Sequence, residues 1–215
     1  MLISFLLFCF IGYIPFVAAF FGLKIDWEIK KNMTSSIIVT YLLYAFLQLF
    51  LITIILPEIQ GHVISSFIIS LVISSFEIIG IWFIIIRKKN TKPTRLKYVA
   101  FIWGTLNGIL CSILQFISNS RTYELELNQI VFSFGTISYL LQAFAGCYIC
   151  SSLNRNVPIW GLPYSKQLLA LAYGIPQSCS VLSGLKSIPS YVPDILRIVT
   201  SFVLFLLTRP INQSH

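Results

Sequence analysis

Glu77 is the residue of this chain best placed to do chemistry. It sits in Phe76-Glu77-Ile78-Ile79-Gly80, inside a long apolar run, ten residues before Arg87. On a helix that separation is ~15 Å, so Glu77 falls near the middle of a hydrocarbon layer. An acid there costs several kcal/mol unless it is paired, protonated or facing water. Two chemistries follow. A proton or substrate site would use Glu77 as a titrating group beside a water-accessible cavity. A packing node would use it as an acceptor for polar side chains of neighbouring helices. Each such bond is worth about 1 kcal/mol, yet it specifies which faces meet. Gln48, Asn107 and Gln142 stand at similar depth in their own apolar segments and are the candidate partners, with Arg197 ranked behind them because it lies closer to the far face.

Other reactive patterns are sparse. Gly104-Thr105-Leu106-Asn107-Gly108 is a GxxxG, whose paired glycines let a second backbone approach, either within the protein or from a partner helix. Cys147-Tyr148-Ile149-Cys150 has redox or metal spacing, but it has no second pair and no nearby histidine. Buried cysteine acting as a small hydrophobe is the expected reading, without a disulfide framework or zinc. His62 and His215 are the only histidines. The sequence holds no G-x-S-x-G, no H-E-x-x-H, no glycine-rich phosphate loop and no acid cluster. The serines of the apolar segments have no histidine beside them to act as base. Neither an enzyme nor a cofactor is expected. Pro176-Gln177 matches the dipeptide of small seven-helix PQ-loop transporters, but there is no second copy.

These residues must be positioned by helices in a bilayer. Hydrophobic residues make up 57% of the 215 and charged residues 10%, against about 25% charged in soluble proteins. About seven apolar segments are legible, at roughly 1–23, 36–56, 63–86, 98–118, 129–151, 167–185 and 193–208. Runs of about 20 residues cross a hydrocarbon core as helices, and none alternates like a membrane β-strand. The expected fold is an all-α polytopic helix bundle forming one domain over 1–215.

Charge orients it. The first, third and fifth connections and the tail carry nearly all the cations: Lys24, Lys30, Lys31, then Arg87, Lys88, Lys89, Lys92, Arg95, Lys97, then Arg155, Lys166 and Arg209. Positive loops stay cytosolic, which puts the N-terminus on the lumenal side and the C-terminus in the cytosol. The first segment lacks a basic start and is followed by Lys24, so it reads as a retained helix, not a cleaved signal. The sequons at Asn32 and Asn212 fall on the cytosolic side and should stay unmodified. The net charge of +8 is mostly this topology signal. Only Arg87, Lys88, Lys89, Lys92, Arg95 and Lys97 form a dense patch, suited to lipid headgroups or to a phosphate-rich partner such as ribosomal RNA. The sixth segment, with Gly174, Pro176 and Gln177, is expected to be kinked and protein-facing, because freed backbone groups need neighbours. A re-entrant hairpin made of the last two segments is the alternative.

With that map in place, Phe8-Cys9-Phe10-Ile11-Gly12-Tyr13-Ile14-Pro15-Phe16, Tyr44-Ala45-Phe46-Leu47-Gln48-Leu49, Leu56-Pro57-Glu58, Phe76-Glu77-Ile78-Ile79-Gly80, Leu96-Lys97-Tyr98-Val99-Ala100, Trp103-Gly104-Thr105 and Arg121-Thr122-Tyr123-Glu124-Leu125 fall in a telling order. Over roughly residues 1–150 the chain resembles the transmembrane protein 147 family, small seven-helix proteins of the endoplasmic reticulum. Asn107 departs from that pattern, standing where an acid is expected. The resemblance implies a non-enzymatic subunit of a complex with nicalin and nodal modulator that joins the ribosome-bound Sec translocon during biogenesis of multi-spanning proteins. It also implies a fold similar to the anterior-pharynx-defective subunit of gamma-secretase.

Two functions therefore compete. A scaffold would use Glu77, Gln48, Gly104, Asn107, Gly108 and Gln142 for packing or partner binding and the basic patch as its cytosolic surface. It would bind no small-molecule substrate. A small proton-coupled transporter would use Glu77 as its site. A lipid-modifying enzyme ranks third, for want of a catalytic group.

Overall fold

The computed structural model describes residues 2–22, 27–55, 63–87, 93–119, 127–155, 165–179, 189 and 191–208. They form α1 (Leu2–Gly22), α2 (Trp27–Ile55), α3 (Val63–Arg87), α4 (Pro93–Asn119), α5 (Leu127–Arg155), α6 (Ser165–Ala172), α7 (Ile175–Ser178) and α8 (Tyr191–Thr208). The fold is all-α, with no strand among the described residues. Three of these helices are long and apolar enough to cross a membrane, at Met33–Leu51 in α2, Gly135–Leu153 in α5 and Tyr191–Thr208 in α8.

Several helices outrun the apolar segments that announce them. α2 begins at Trp27 and takes in Glu28, Lys30 and Lys31, and α4 begins at Pro93 instead of near Tyr98. Hydropathy marks where side chains become apolar, whereas a helix ends where its backbone bonding ends. Proline at the first position of α4 costs no hydrogen bond, because that N–H has no partner within the helix. Asp194 in the first turn of α8 faces the positive end of the helix dipole.

The sixth segment is interrupted, as its proline leads one to expect. α6 ends at Ala172, a turn follows at Tyr173–Gly174, and α7 resumes with Pro176 near its start. Proline lacks an N–H, and its ring crowds the carbonyl four residues back, which with Gly174 beside it favours a break here, although α1 continues through Pro15.

α5 is the axis of the bundle. Over Gly135–Leu153, 61% of it is buried, against 22% for the span in α2 and 28% for that in α8. Its inward residues are mostly small: Thr136, Ser138, Ala143, Ala145, Gly146, Cys147 and Cys150. Small side chains let helix backbones close together where dispersion, not exclusion of water, holds them. α1, α3, α4, α6 and α8 all pack on α5, while α2 packs on α3 and α4.

Contacts fix the relative directions. Phe16 meets Gly108 and Phe20 meets Phe101, so α1 and α4 run antiparallel. Thr34 bonds Tyr98 and Tyr41 bonds Asn107, so α2 and α4 run parallel. Arg197 bonds Tyr139 and Tyr148 meets Phe205, so α5 and α8 run parallel.

The outside is apolar. On α2, Leu42, Leu43, Phe46, Leu47, Leu49 and Phe50 are all exposed, Phe46 by 72%. α8 presents Val199, Phe202, Val203, Leu206 and Leu207 in the same way. Helices that bury one apolar face and expose another suit a surrounding solvent of lipid chains.

Candidate functional site

Three other elements converge on Glu77 of α3, which is 1% exposed. From α4, the Trp103 indole Nε1 donates to Oε1 at 2.6 Å and Asn107 Nδ2 donates to the same oxygen at 2.5 Å. The two residues are one turn apart, so both reach one acceptor. From α2, the Tyr41 hydroxyl donates to Asn107 Oδ1 at 2.8 Å, which leaves that amide's nitrogen aimed at the acid. From α7, Gln177 Nε2 donates to Oε2 at 2.8 Å.

An aromatic wall encloses this cluster. Tyr41 meets Trp103 edge-on at 5.2 Å between centroids, and Tyr44 lies 5.5 Å from the same ring. Trp103 is fully buried because Gly80 leaves room for it; a Cβ on Gly80 would come within 2.8 Å of the indole. Tyr173 is likewise fully buried, its ring against Gly146 of α5, to which Ile81 of α3 also comes close. Its hydroxyl also approaches the Glu77 carboxylate.

Of the partners expected for Glu77, the structure brings in Asn107 and corrects the other two. Gln142 of α5 is buried, but its Nε2 donates to the Tyr173 carbonyl at 2.9 Å. The turn before Pro176 directs that carbonyl toward α5, and the buried amide answers it. Gln48 is half-buried, and no hydrogen bond joins it to Glu77. It lies seven residues beyond Tyr41, about 10 Å further along α2, and is therefore at the wrong depth.

Trp103, Tyr41 and Gln177 do what Gln48 and Gln142 were expected to do. Trp103 does carry a signal in the sequence. It precedes Asn107 by one turn, and a buried indole needs an acceptor for its N–H.

The GxxxG glycines face inward. A Cβ on Gly104 would lie 2.8 Å from the Leu140 Cα, so α4 and α5 meet backbone to backbone there. A Cβ on Gly108 would lie 2.7 Å from the tip of the Phe16 ring of α1.

A second buried polar cluster ties α8 to α5. Arg197, 5% exposed, donates from Nη1 to the Tyr139 hydroxyl at 2.8 Å, and its guanidinium carbon lies 4.8 Å from the centroid of that ring. Its Nη2 is 3.2 Å from Asp194 Oδ1. Gly135 makes the space, since a Cβ there would lie 2.5 Å from Nη2. Nearby, Thr136 donates to the Gly12 carbonyl at 2.8 Å and links α1 to α5.

Cys147 and Cys150 are buried free thiols, and Cys150 donates to the Ile78 carbonyl at 3.6 Å. Among the described residues no group of three or more His, Cys, Asp or Glu is placed to hold a metal. In the basic patch, Arg95 is half-buried and Lys97 exposed at the start of α4, while Arg87 ends α3. Lys88, Lys89 and Lys92 lie outside the described residues, as do His62, His215 and Asn212.

No protein-family model matches the chain, and no curated protein matches it.

Proposed function

We propose that this chain is a non-enzymatic scaffold of the endoplasmic reticulum membrane. It threads the bilayer about seven times, N-terminus lumenal and C-terminus cytosolic, and holds membrane partners rather than converting a substrate. The partners proposed are nicalin-like and nodal-modulator-like proteins, with the Sec translocon and ribosome beyond them and the basic patch turned toward the ribosome.

One observation carries the reading. The Glu77 carboxylate is saturated by donors from two other elements and braced by a third. That is the arrangement of a node that sets helix register. A transported proton or solute needs a carboxylate open to water, whereas here aromatic rings enclose it. The last helix, Tyr191–Thr208, is long and apolar enough to cross a membrane, which favours two crossings after α5 over a hairpin.

The test is a mild-detergent pull-down of the tagged chain from its own membranes, read by mass spectrometry. The scaffold reading expects a nicalin-like protein, its large lumenal companion and translocon subunits. It also expects the ribosome-associated fraction to fall when Arg87, Lys88, Lys89, Lys92, Arg95 and Lys97 are reversed in charge with topology intact. Recovery of a bare monomer or homodimer overturns it. So does proton-coupled flux in liposomes that is abolished by Glu77→Gln.

A further inference from the structure

The hydrogen bond between Thr34 and Tyr98 ties α2 to α4 at one end of the bundle. The two helices run parallel, so both begin at that end. Lys31 precedes Thr34 by three residues, and Arg95 precedes Tyr98 by three. Each cation therefore stands about 4.5 Å along its helix beyond the bonded pair, and the two are level. Packed helices lie ~8–10 Å apart, a gap that a lysine and an arginine span together from opposite sides. Lys97 is exposed beside them.

Their settings differ. Lys31 is exposed, whereas Arg95 is half-buried with its Nε shielded from solvent. Arg95 also interacts within the protein, so its guanidinium is held at the rim of the bundle instead of trailing into water. Four cations, Lys30, Lys31, Arg95 and Lys97, fall in the first two turns of these helices, against one acid, Glu28.

What lies below is apolar. The membrane-crossing span of α2 starts at Met33, two residues after Lys31. Lys31, Ser35, Val39, Leu42 and Phe46 recur at three- and four-residue spacing and are all exposed, which makes them one stripe on α2. From Ser35 to Phe46 the stripe runs ~17 Å, about the depth of one leaflet of a ~30 Å hydrocarbon core. The surface thus offers positive charge at headgroup level and an apolar wall of acyl-chain length directly beneath. The positive-inside bias explains cations in the connections. It does not require two of them level on bonded helices at the head of such a stripe.

We propose that this end of α2 and α4 is a binding site for an anionic phospholipid: Lys31 and Arg95 hold the phosphate from two sides, Lys97 adds to the field, and the α2 stripe carries an acyl chain. Arginine supplies paired donors to phosphate oxygens and lysine a point charge. The surplus of positive charge disfavours choline headgroups, whose own cation it repels. A soluble phosphate would meet the cations and leave the stripe unused. The site needs only that α2 crosses a bilayer. It goes beyond the scaffold reading and does not depend on the partners proposed there.

The test uses the full chain purified in mild detergent and titrated with lipid, with bound lipids counted by native mass spectrometry. Phosphatidylinositol should bind about tenfold tighter than phosphatidylcholine. Lys31→Gln, a change at an exposed position, should weaken phosphatidylinositol about threefold, and Lys31→Gln with Arg95→Gln should bring the preference below about twofold. Lys88→Gln with Lys89→Gln removes the same charge from the neighbouring loop and should leave the preference in place. Glycerophosphoinositol, the same headgroup without acyl chains, should not displace the lipid at equal concentration.

Equal binding of the two lipids overturns the proposal. So does a preference that survives the Lys31 and Arg95 double variant, or one that falls as far when the loop lysines are neutralised. Displacement by glycerophosphoinositol would make this a site for a soluble phosphate and overturns the lipid assignment. Where the double variant fails to fold, Lys31→Gln decides alone. These outcomes are separable from failure of the scaffold reading. A chain that recovers its partners without a lipid preference loses the site alone, and one that keeps the preference without partners loses the scaffold alone.

Discussion

Trp103 reads two positions of α3 at once. Its indole nitrogen donates to Glu77 Oε1 at 2.6 Å, and its ring fills the space that Gly80 leaves three residues further on. An acid and a glycine at i and i+3 lie on one face of a helix. The pair therefore forms a matched socket for one large, polar-tipped ring, with the acid supplying the acceptor and the missing Cβ supplying the room. A tryptophan buried without an acceptor would strand its N–H, and an acid buried without donors would be more costly still. Each residue accounts for the burial of the other.

Glu77 should therefore be worth much more to stability than a single bond implies. Glu77→Ala strands the donors of Trp103, Asn107 and Gln177 together, at about 1–3 kcal/mol for each buried group left unmade. Glu77→Gln keeps an oxygen for Trp103 and Asn107, and Gln177 can turn its own oxygen toward the new amide, so the expected cost is about 1 kcal/mol. Reversible unfolding in bicelles, followed by steric trapping, gives both values. A Glu77→Ala protein as stable as Glu77→Gln would mean that Glu77 is not the node described.

The two glycines of the GxxxG should differ although the motif treats them alike. At Gly104 the obstructing atom is the Leu140 Cα, part of a backbone that can yield only by separating α4 from α5. At Gly108 it is the tip of the Phe16 side chain. Gly104→Ala is expected to cost about 1–3 kcal/mol by overpacking, and Gly108→Ala distinctly less. Thermal unfolding of the purified variants in one detergent ranks them. The reverse order would place the tight helix approach elsewhere.

Much of this architecture is legible in the order of the residues, and the limits are physical. The all-helical class follows from apolar runs, because backbone in lipid has few other ways to satisfy its hydrogen bonds. The interruption at Gly174–Pro176 follows from glycine and proline together, since Pro15 alone leaves α1 continuous. Helix ends are less legible: charged turns such as Glu28–Lys31 continue α2 without any apolar signal. Partner choice at Glu77 is the least legible part. Depth along a helix can be estimated from residue number, and it correctly admits Asn107, but it says nothing about which way a side chain turns. Gln142 has the depth and goes to a carbonyl that only the kink presents. Gln177 arrives from a segment whose register is set by Gly174 against Leu71, a backbone contact invisible in composition.

Arg197 offers a sharper test, because its environment is built from both charge and shape. Inside α8 it is neutralised by Asp194 one turn earlier, donates to Tyr139 and occupies space that only a glycine at 135 leaves open. Removing one member of a buried pair leaves an uncompensated charge, which costs about 3–5 kcal/mol, whereas removing both can be close to neutral. Arg197→Met alone should therefore destabilise strongly by stranding Asp194, and Asp194→Asn with Arg197→Met should recover most of the loss. Gly135→Ala should mimic part of the Arg197→Met defect, since the new methyl displaces the guanidinium, and its effect should shrink once Arg197 is already Met. The three substitutions and their combinations form one set of double-mutant cycles, measured by the same unfolding assay. Strict additivity across that set would mean that Arg197, Asp194 and Gly135 do not act as the single unit their contacts describe.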